Sequence, residues 1–299
     1  MDIVLALAAA FLFARGLVLQ EKAASAQSAD TVGAGFLARL AHQPVWLLGL
    51  AVQGLGFVAQ AIALGIGRMV VVQPLLVSSI VFALPLGRLI EGRPIRRPEM
   101  VGAALVAGGL AALLLVSKPA AGDDDASLRS WAVVGGASLG LAVLLFVLAR
   151  GRSPAMRAGL LGTAGGILFG LGAALTKTTV SMLDDGVLAV LGDWHVYALV
   201  VVSIAAFWLE QAALQTGALA AAEATTMAFD PLSSLVYGIV LFQEKLHETA
   251  IGYALCLVSL AVALAGLLIL ARAKGSEPQP PEPAPATLRS DHRPFVVER

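Results

Sequence analysis

The chain has 299 residues, 58% of them hydrophobic and only 13% charged, with a mean hydropathy of +0.85 and a formal net charge of zero. Soluble domains hold roughly 45–50% apolar residues, so a water-soluble fold is excluded. No basic run is interleaved with aromatics, which removes nucleic acid as a partner. What remains is an all-α integral membrane protein whose first partner is the lipid bilayer.

A helix that crosses the hydrocarbon layer needs about 20 mostly apolar residues. On that rule the chain reads as nine spans: Ile3 to Gln20, Val45 to Ile66, Met69 to Gly87, Glu99 to Ser117, Trp131 to Ala149, Ala158 to Thr176, Val196 to Gly217, Leu219 to Phe242 and Thr249 to Ala271. A barrel would show alternating segments of about ten residues instead. Met1, Asp2 and Ile3 supply no basic leader and Arg15 interrupts the first apolar run, so no cleaved signal peptide is expected. The single cysteine, Cys256, falls in the last span and reads as a small packing residue.

The connections after spans 1, 3, 5 and 9 carry eleven Lys and Arg residues, among them Lys22, Arg88, Arg96, Arg97, Arg150 and Arg272, against five (Arg68, Lys118, Arg129, Lys177, Lys245) after spans 2, 4, 6 and 8. The richer set is expected on the cytoplasmic side. That puts the N-terminus outside and the C-terminus in the cytoplasm of a cell in whose plasma membrane the protein is multi-pass. Lys22 and Lys177, each near a span end, read as interfacial anchors. The proline-rich stretch of Pro278, Pro280, Pro281, Pro283 and Pro285 has no apolar period and predicts a disordered cytoplasmic tail.

Two stretches repeat. Gln60, Gly67 and Pro74 are seven apart, and Pro74 precedes Leu75 and the pair Ser78 and Ser79. Glu210 and Gly217 are also seven apart, and Pro231, fourteen further on, precedes Leu232, Ser233 and Ser234. Phe13, Gly16 and Lys22 match Leu168, Leu171 and Lys177 in order. The organisation is therefore a first four-helix repeat over 1–118, an acidic outer loop and spacer helix over 119–152, a second repeat over 153–272, and the tail over 273–299. A single spacer helix makes the second repeat enter the membrane from the opposite side, the inverted arrangement of secondary transporters.

The helix order, the Pro-Leu starts at Pro74 and Pro231, Glu244 and Lys245 closing span 8, and Gly102 and Gly252 opening the final spans resemble the drug/metabolite transporter (DMT) superfamily over residues 1–271. The nine-span arrangement is most similar to the NIPA-type magnesium transporters and EamA-like proteins, best over Trp46 to Lys118. Phe57 stands where that family's pattern places an acidic residue. The resemblance implies gradient-driven transport of a small solute or cation, Mg²⁺ or another divalent cation included.

Ionisable groups inside a bilayer cost at least ~2.5–3.5 kcal/mol each, so they face a cavity or one another. Arg15, Gln60, Gln73, Glu210, Gln211, Glu223 and Asp230 are the candidate lining of a substrate pathway, with Glu210 and Asp230 the metal ligands if the cargo is a metal ion. An alternative is that Arg15 pairs with a carboxylate or snorkels to the interface. Pro74 and Pro231 are expected to break their helices. Gly162, Gly166 and Gly170 form a small-xxx-small stripe for close packing within the chain or for a homodimer contact.

Gly136, Ser138 and Gly140 fit G-x-S-x-G, but inside an apolar helix with no strand before it, so no hydrolase is expected. The four histidines show no zinc spacing and no Walker loop is present, so neither cofactor nor ATP-driven activity is expected. Two further readings stand beside the carrier: an exporter of small metabolites or amphipathic amines, and a non-transporting scaffold that organises partners through the basic loops and tail.

Overall fold

A computed structural model describes residues 1–25, 42–91, 95–118, 122–123, 125–216 and 218–275. Among them there is no β-strand; the elements are α1 (Asp2–Ser25), α2 (Pro44–Ile66), α3 (Met69–Leu76), α4 (Ser79–Glu91), α5 (Arg97–Val116), α6 (Leu128–Leu148), α7 (Pro154–Ser181), a 3₁₀ turn (Met182–Asp185), α8 (Val187–Gly192), α9 (Trp194–Leu214), α10 (Leu219–Val240) and α11 (Ala250–Gly275). Eight stretches are long and apolar enough to cross a membrane, α3 and α4 together making one of them. This is a multi-pass membrane protein. The eight leave out α10, which is 22 residues long and carries Glu223 and Asp230.

Two expectations about proline change. The span from Met69 is two helices, interrupted at Val77 and Ser78. Pro74 lies inside α3, where its missing N–H leaves the Val70 carbonyl without its helical donor. Three residues on, the chain tightens into i to i−3 bonds (Val77 N to Pro74 O, 3.2 Å; Ser78 N to Leu75 O, 3.0 Å), and the Ser78 hydroxyl also donates to Leu75 O at 2.7 Å. Pro231, by contrast, sits in an unbroken α10. One lost hydrogen bond does not end a long helix packed along its length.

The sequence places neither the 3₁₀ turn nor α8, and α11 runs on to Gly275, into the region expected to be tail. Residues 276–299 lie outside the described residues, as do Arg39, Arg93, Asp124 and Gly217.

α7 is the central element. In its most apolar window 78% is buried, against 17% for α6, which lies at the periphery. Its glycines explain how neighbours come so close. A Cβ on Gly166 would lie 2.7 Å from the Thr226 carbonyl oxygen, and Gly162 and Gly170 meet Ala222, Thr225, Ser233 and Ser234, so the stripe seats α7 against α10, running parallel. α5 and α11 run antiparallel through Gly102, Gly109 and Gly266: a Cβ on Gly109 would lie 2.6 Å from Ala263 N, and one on Gly266 2.6 Å from Gly102 O.

The contacts fix which termini share an end of the bundle. Gly67 packs on Asp2, Gly65 on Val180, and Asp123 N donates to Phe242 O (2.7 Å). The start of α1, the α2–α3 turn, the end of α7 and the end of α10 therefore meet at one acidic end. Leu270 packs on Gly102, placing the start of α5 and the end of α11, with Arg96, Arg97 and Arg272, at the opposite, basic end.

Candidate functional site

A cavity of about 640 Å³ runs between the helices. α1 contributes Phe13, Ala14, Leu17 and Val18, and α2 contributes Gln53, Phe57 and Gln60. α9 presents Leu199, Ser203, Phe207 and Glu210, spaced along one helical face. Thr226, Met227, Asp230 and Pro231 come from α10, Gln73 from α3, and Leu168, Phe169 and Thr176 from α7.

Of the residues expected to line a pathway, Gln60, Gln73, Glu210 and Asp230 are brought together here. Arg15 and Gln211 are not. On α1 the cavity is met by Ala14, Leu17 and Val18, and Gly16 packs on α2; Arg15, about 100° round from Ala14, is turned outward and exposed. Gln211 is likewise rotated away from Glu210. Glu223 belongs to α10, but its side chain lies outside the described residues.

Gln53, Ser203, Thr226 and Glu99 line the cavity without having been expected to. Gln53 accepts from Gln20 Nε2 at 2.9 Å. Glu99 had a readable signal, since it is the third residue of α5 and takes the Arg96 backbone N–H at 2.7 Å, a helix-start pattern. Asp230 accepts from the Ser234 hydroxyl at 3.3 Å. Gln73 is 2% exposed, and its Nε2 has no hydrogen-bond partner among the described residues. Among the described lining residues the charged side chains are all acidic: Glu99, Glu210 and Asp230.

The cavity ends differ. Through Glu99, Gly87 and Leu270 it reaches the basic end; toward the acidic end it stops at Gln73, Thr176 and Leu199. Just past Thr176 lies a buried clasp. Lys177 Nζ stands 3.0 Å from Glu244 Oε1, with both side chains at most 6% exposed, and donates to Gly67 O at 3.2 Å. The two Glu244 oxygens accept the backbone N–H groups of Met69 (2.9 Å) and Val70 (2.8 Å), capping α3 from a distant part of the chain. Lys177 is therefore no interfacial anchor; its ammonium, which also lies 5.1 Å from the centre of the Phe242 ring, is held inside. Glu244 is aimed by a turn in which Gln243 takes a left-handed φ of 54° and Glu244 N bonds back to Gly238 O at 3.0 Å.

Beside the clasp, Trp131 packs edge-on against Phe242 and His195, and its Nε1 donates to Asp125 at 2.9 Å. Asp193 caps α9 by accepting from His195 N at 2.8 Å. That backbone bond, with the His195 side chain as a smaller contributor, holds the Asp193 carboxyl below the ordinary carboxylate range despite partial burial. Ser138, the serine of the G-x-S-x-G stretch, meets the Val134 carbonyl (2.7 Å) and the Tyr237 hydroxyl (2.8 Å) in helix packing.

No family model matches the chain, and no solved structure matches it. An uncharacterised protein of Corynebacterium glutamicum is 26% identical over 274 residues, covering 90% of this chain and 94% of the relative. The likeness thus extends over nearly the whole length of both proteins.

Proposed function

We propose that the protein is a gradient-driven carrier of the DMT type, which binds a small organic cation with an apolar body in the central cavity and alternates access between the two faces of the cell membrane. The observation that carries this reading is the charge of the cavity: Glu99, Glu210 and Asp230 with no basic lining residue described, set among Phe13, Phe57, Phe169 and Phe207. Carboxylates in a low-dielectric space attract a cation. Aromatic faces favour an organic cation over a hydrated ion.

Magnesium fits this lining less well. It dehydrates reluctantly and takes near-octahedral oxygen, whereas among the described residues no three His, Cys, Asp or Glu side chains gather into a metal ligand set. The inverted-repeat reading is supported by pairing. α1 packs on α2 and on α3 and α4, as α7 packs on α9 and α10, while α5 and α11 pack on each other.

The test is flux into proteoliposomes of an aromatic monocation such as ethidium, measured beside Mg²⁺. Ethidium flux is expected, lost in Glu210→Gln and Asp230→Asn. Magnesium flux with no ethidium flux, or ethidium flux unchanged in both variants, refutes the organic-cation site.

A further inference from the structure

We infer that the Lys177–Glu244 clasp is a gate, with α3 as its moving part, that closes the cavity at the acidic end. Access by alternation is part of the function proposed above; the device that performs it at this end is a separate conclusion, and it rests on four observations.

The clasp is placed where a gate must be. Thr176 and Gln73 are the last cavity residues in this direction, and Lys177 is the next residue of α7. Gly67, Met69 and Val70 are held from the second half of the chain by Lys177 and Glu244, so the bonds cross between the halves.

The part it holds is a short element of its own, buried from Met69 to Leu75. α3 is only eight residues long, gripped at its first turn by Glu244 and joined to α4 through the i to i−3 turn at Val77 and Ser78. A short helix pinned at one end and hinged at the other can tilt as a unit. Gln73 rides on it, so tilting α3 moves the cavity wall.

The chemistry is that of a switch rather than a staple. Two buried opposite charges gain little over an apolar pair of the same volume, because both must leave water, but they hold only in one geometry. A carboxylate that opens toward the acidic face regains solvent, which offsets the lost bonds. An apolar seal has no such second state.

Finally, the neighbourhood is incompletely satisfied. Arg68 Nε, on the residue between Gly67 and Met69, and Gln73 Nε2, on α3, are buried without hydrogen-bond partners among the described residues, and Gln243 holds its left-handed backbone next to Glu244. Orphaned donors and local strain mark an arrangement that is not the only one the chain is built for.

The test uses the full chain in a Cys256→Ala background with Thr176→Cys as reporter, and a membrane-impermeant maleimide applied to one face of the bilayer at a time. With the clasp intact, labelling from the acidic face is slow. In Lys177→Gln/Glu244→Gln, labelling from that face is expected to accelerate about tenfold or more, as a shifted population requires, while labelling from the basic face does not rise. Unchanged labelling from the acidic face in a variant that keeps its melting transition overturns the gate.

A second arm needs no loss of charge. Val70→Cys/Gly238→Cys, at positions in contact in the closed state, where a Cβ on Gly238 would lie 2.6 Å from Val70 Cγ1, is oxidised to bind α3 to α10. Ethidium flux should stop on oxidation and return on reduction. Flux indifferent to a disulfide verified by mass overturns the gate even if the double charge variant fails to fold. If no ethidium moves in any protein, the substrate reading fails, and the labelling arm still decides the gate.

Discussion

Lys177 and Glu244 show how a polar contact can be worth little when made and much when half removed. With the pair buried, Lys177→Met leaves the Glu244 carboxylate to two backbone N–H groups in a dry site, and a cost of about 3–5 kcal/mol is expected, read as a lower melting transition in detergent. Lys177→Met/Glu244→Gln removes both charges and should recover part of that loss; if the double variant is less stable than the sum of its singles, the two charges are not partners. Asp193 acts on a smaller scale. It caps α9, so Asp193→Ala should cost about 1 kcal/mol at neutral pH. Its carboxyl titrates below its unfolded value, so the cap's contribution is present above the ordinary carboxylate pKa of about 3.9 and disappears as pH falls through the lowered folded value. Stability curves of the two proteins should therefore converge in acid; a gap that widens there contradicts the assignment.

Among the elements, glycines divide into two kinds that the sequence does not distinguish. Those of α7 and of the α5–α11 pair lie where a Cβ would strike backbone, as at Gly166 and Gly109, whereas Gly135, Gly136 and Gly140 of α6 have nothing within 4 Å of a built Cβ. Gly166→Ala and Gly109→Ala should each destabilise by about 1–3 kcal/mol through overpacking. Gly136→Ala should be neutral or stabilise by about 0.5–1 kcal/mol through helix entropy. Unfolding in detergent orders the three, and an equal response at Gly166 and Gly136 would deny α7 its close approach to α10. The same distinction shows what could be read in advance. Apolar length gave eight of the nine expected spans to within a few residues, because the energy of hiding a segment in lipid is nearly additive along the chain. It could not give the α3–α4 interruption, which is a matter of local hydrogen bonding at Val77 and Ser78, nor the rotation of each helix. Rotation is why Glu210 meets the cavity and Gln211 does not, and why Arg15, set apart by its charge, turns out to face away. Glu244 and Lys177, 67 residues apart at the ends of two spans, became partners only when α7 and α10 were laid side by side.

For the whole molecule the question is which end faces which compartment. The bundle has an acidic end, with Asp2, Asp123, Asp125 and Asp193 around the closed clasp, and a basic end, with Arg96, Arg97 and Arg272, to which the cavity extends. Basic residues are retained in the cytoplasm during insertion, so the end to which the cavity extends should be cytoplasmic. The start of α1 and the end of α11 lie at opposite ends of the bundle, so tags on the two termini should fall on different faces. A tag ahead of Met1 should be digested by protease added to intact cells, and a tag after Arg299 should be digested only when the membrane is opened. With that orientation, maleimide should reach Thr176→Cys from the cytoplasmic face. Protection of both tags, or digestion of both, would mean that α1 and α11 do not thread the bilayer in the sense that their packing on α2 and α5 requires. The reverse pattern would leave the bundle intact but turn the closed gate toward the cytoplasm, and the direction of access with it.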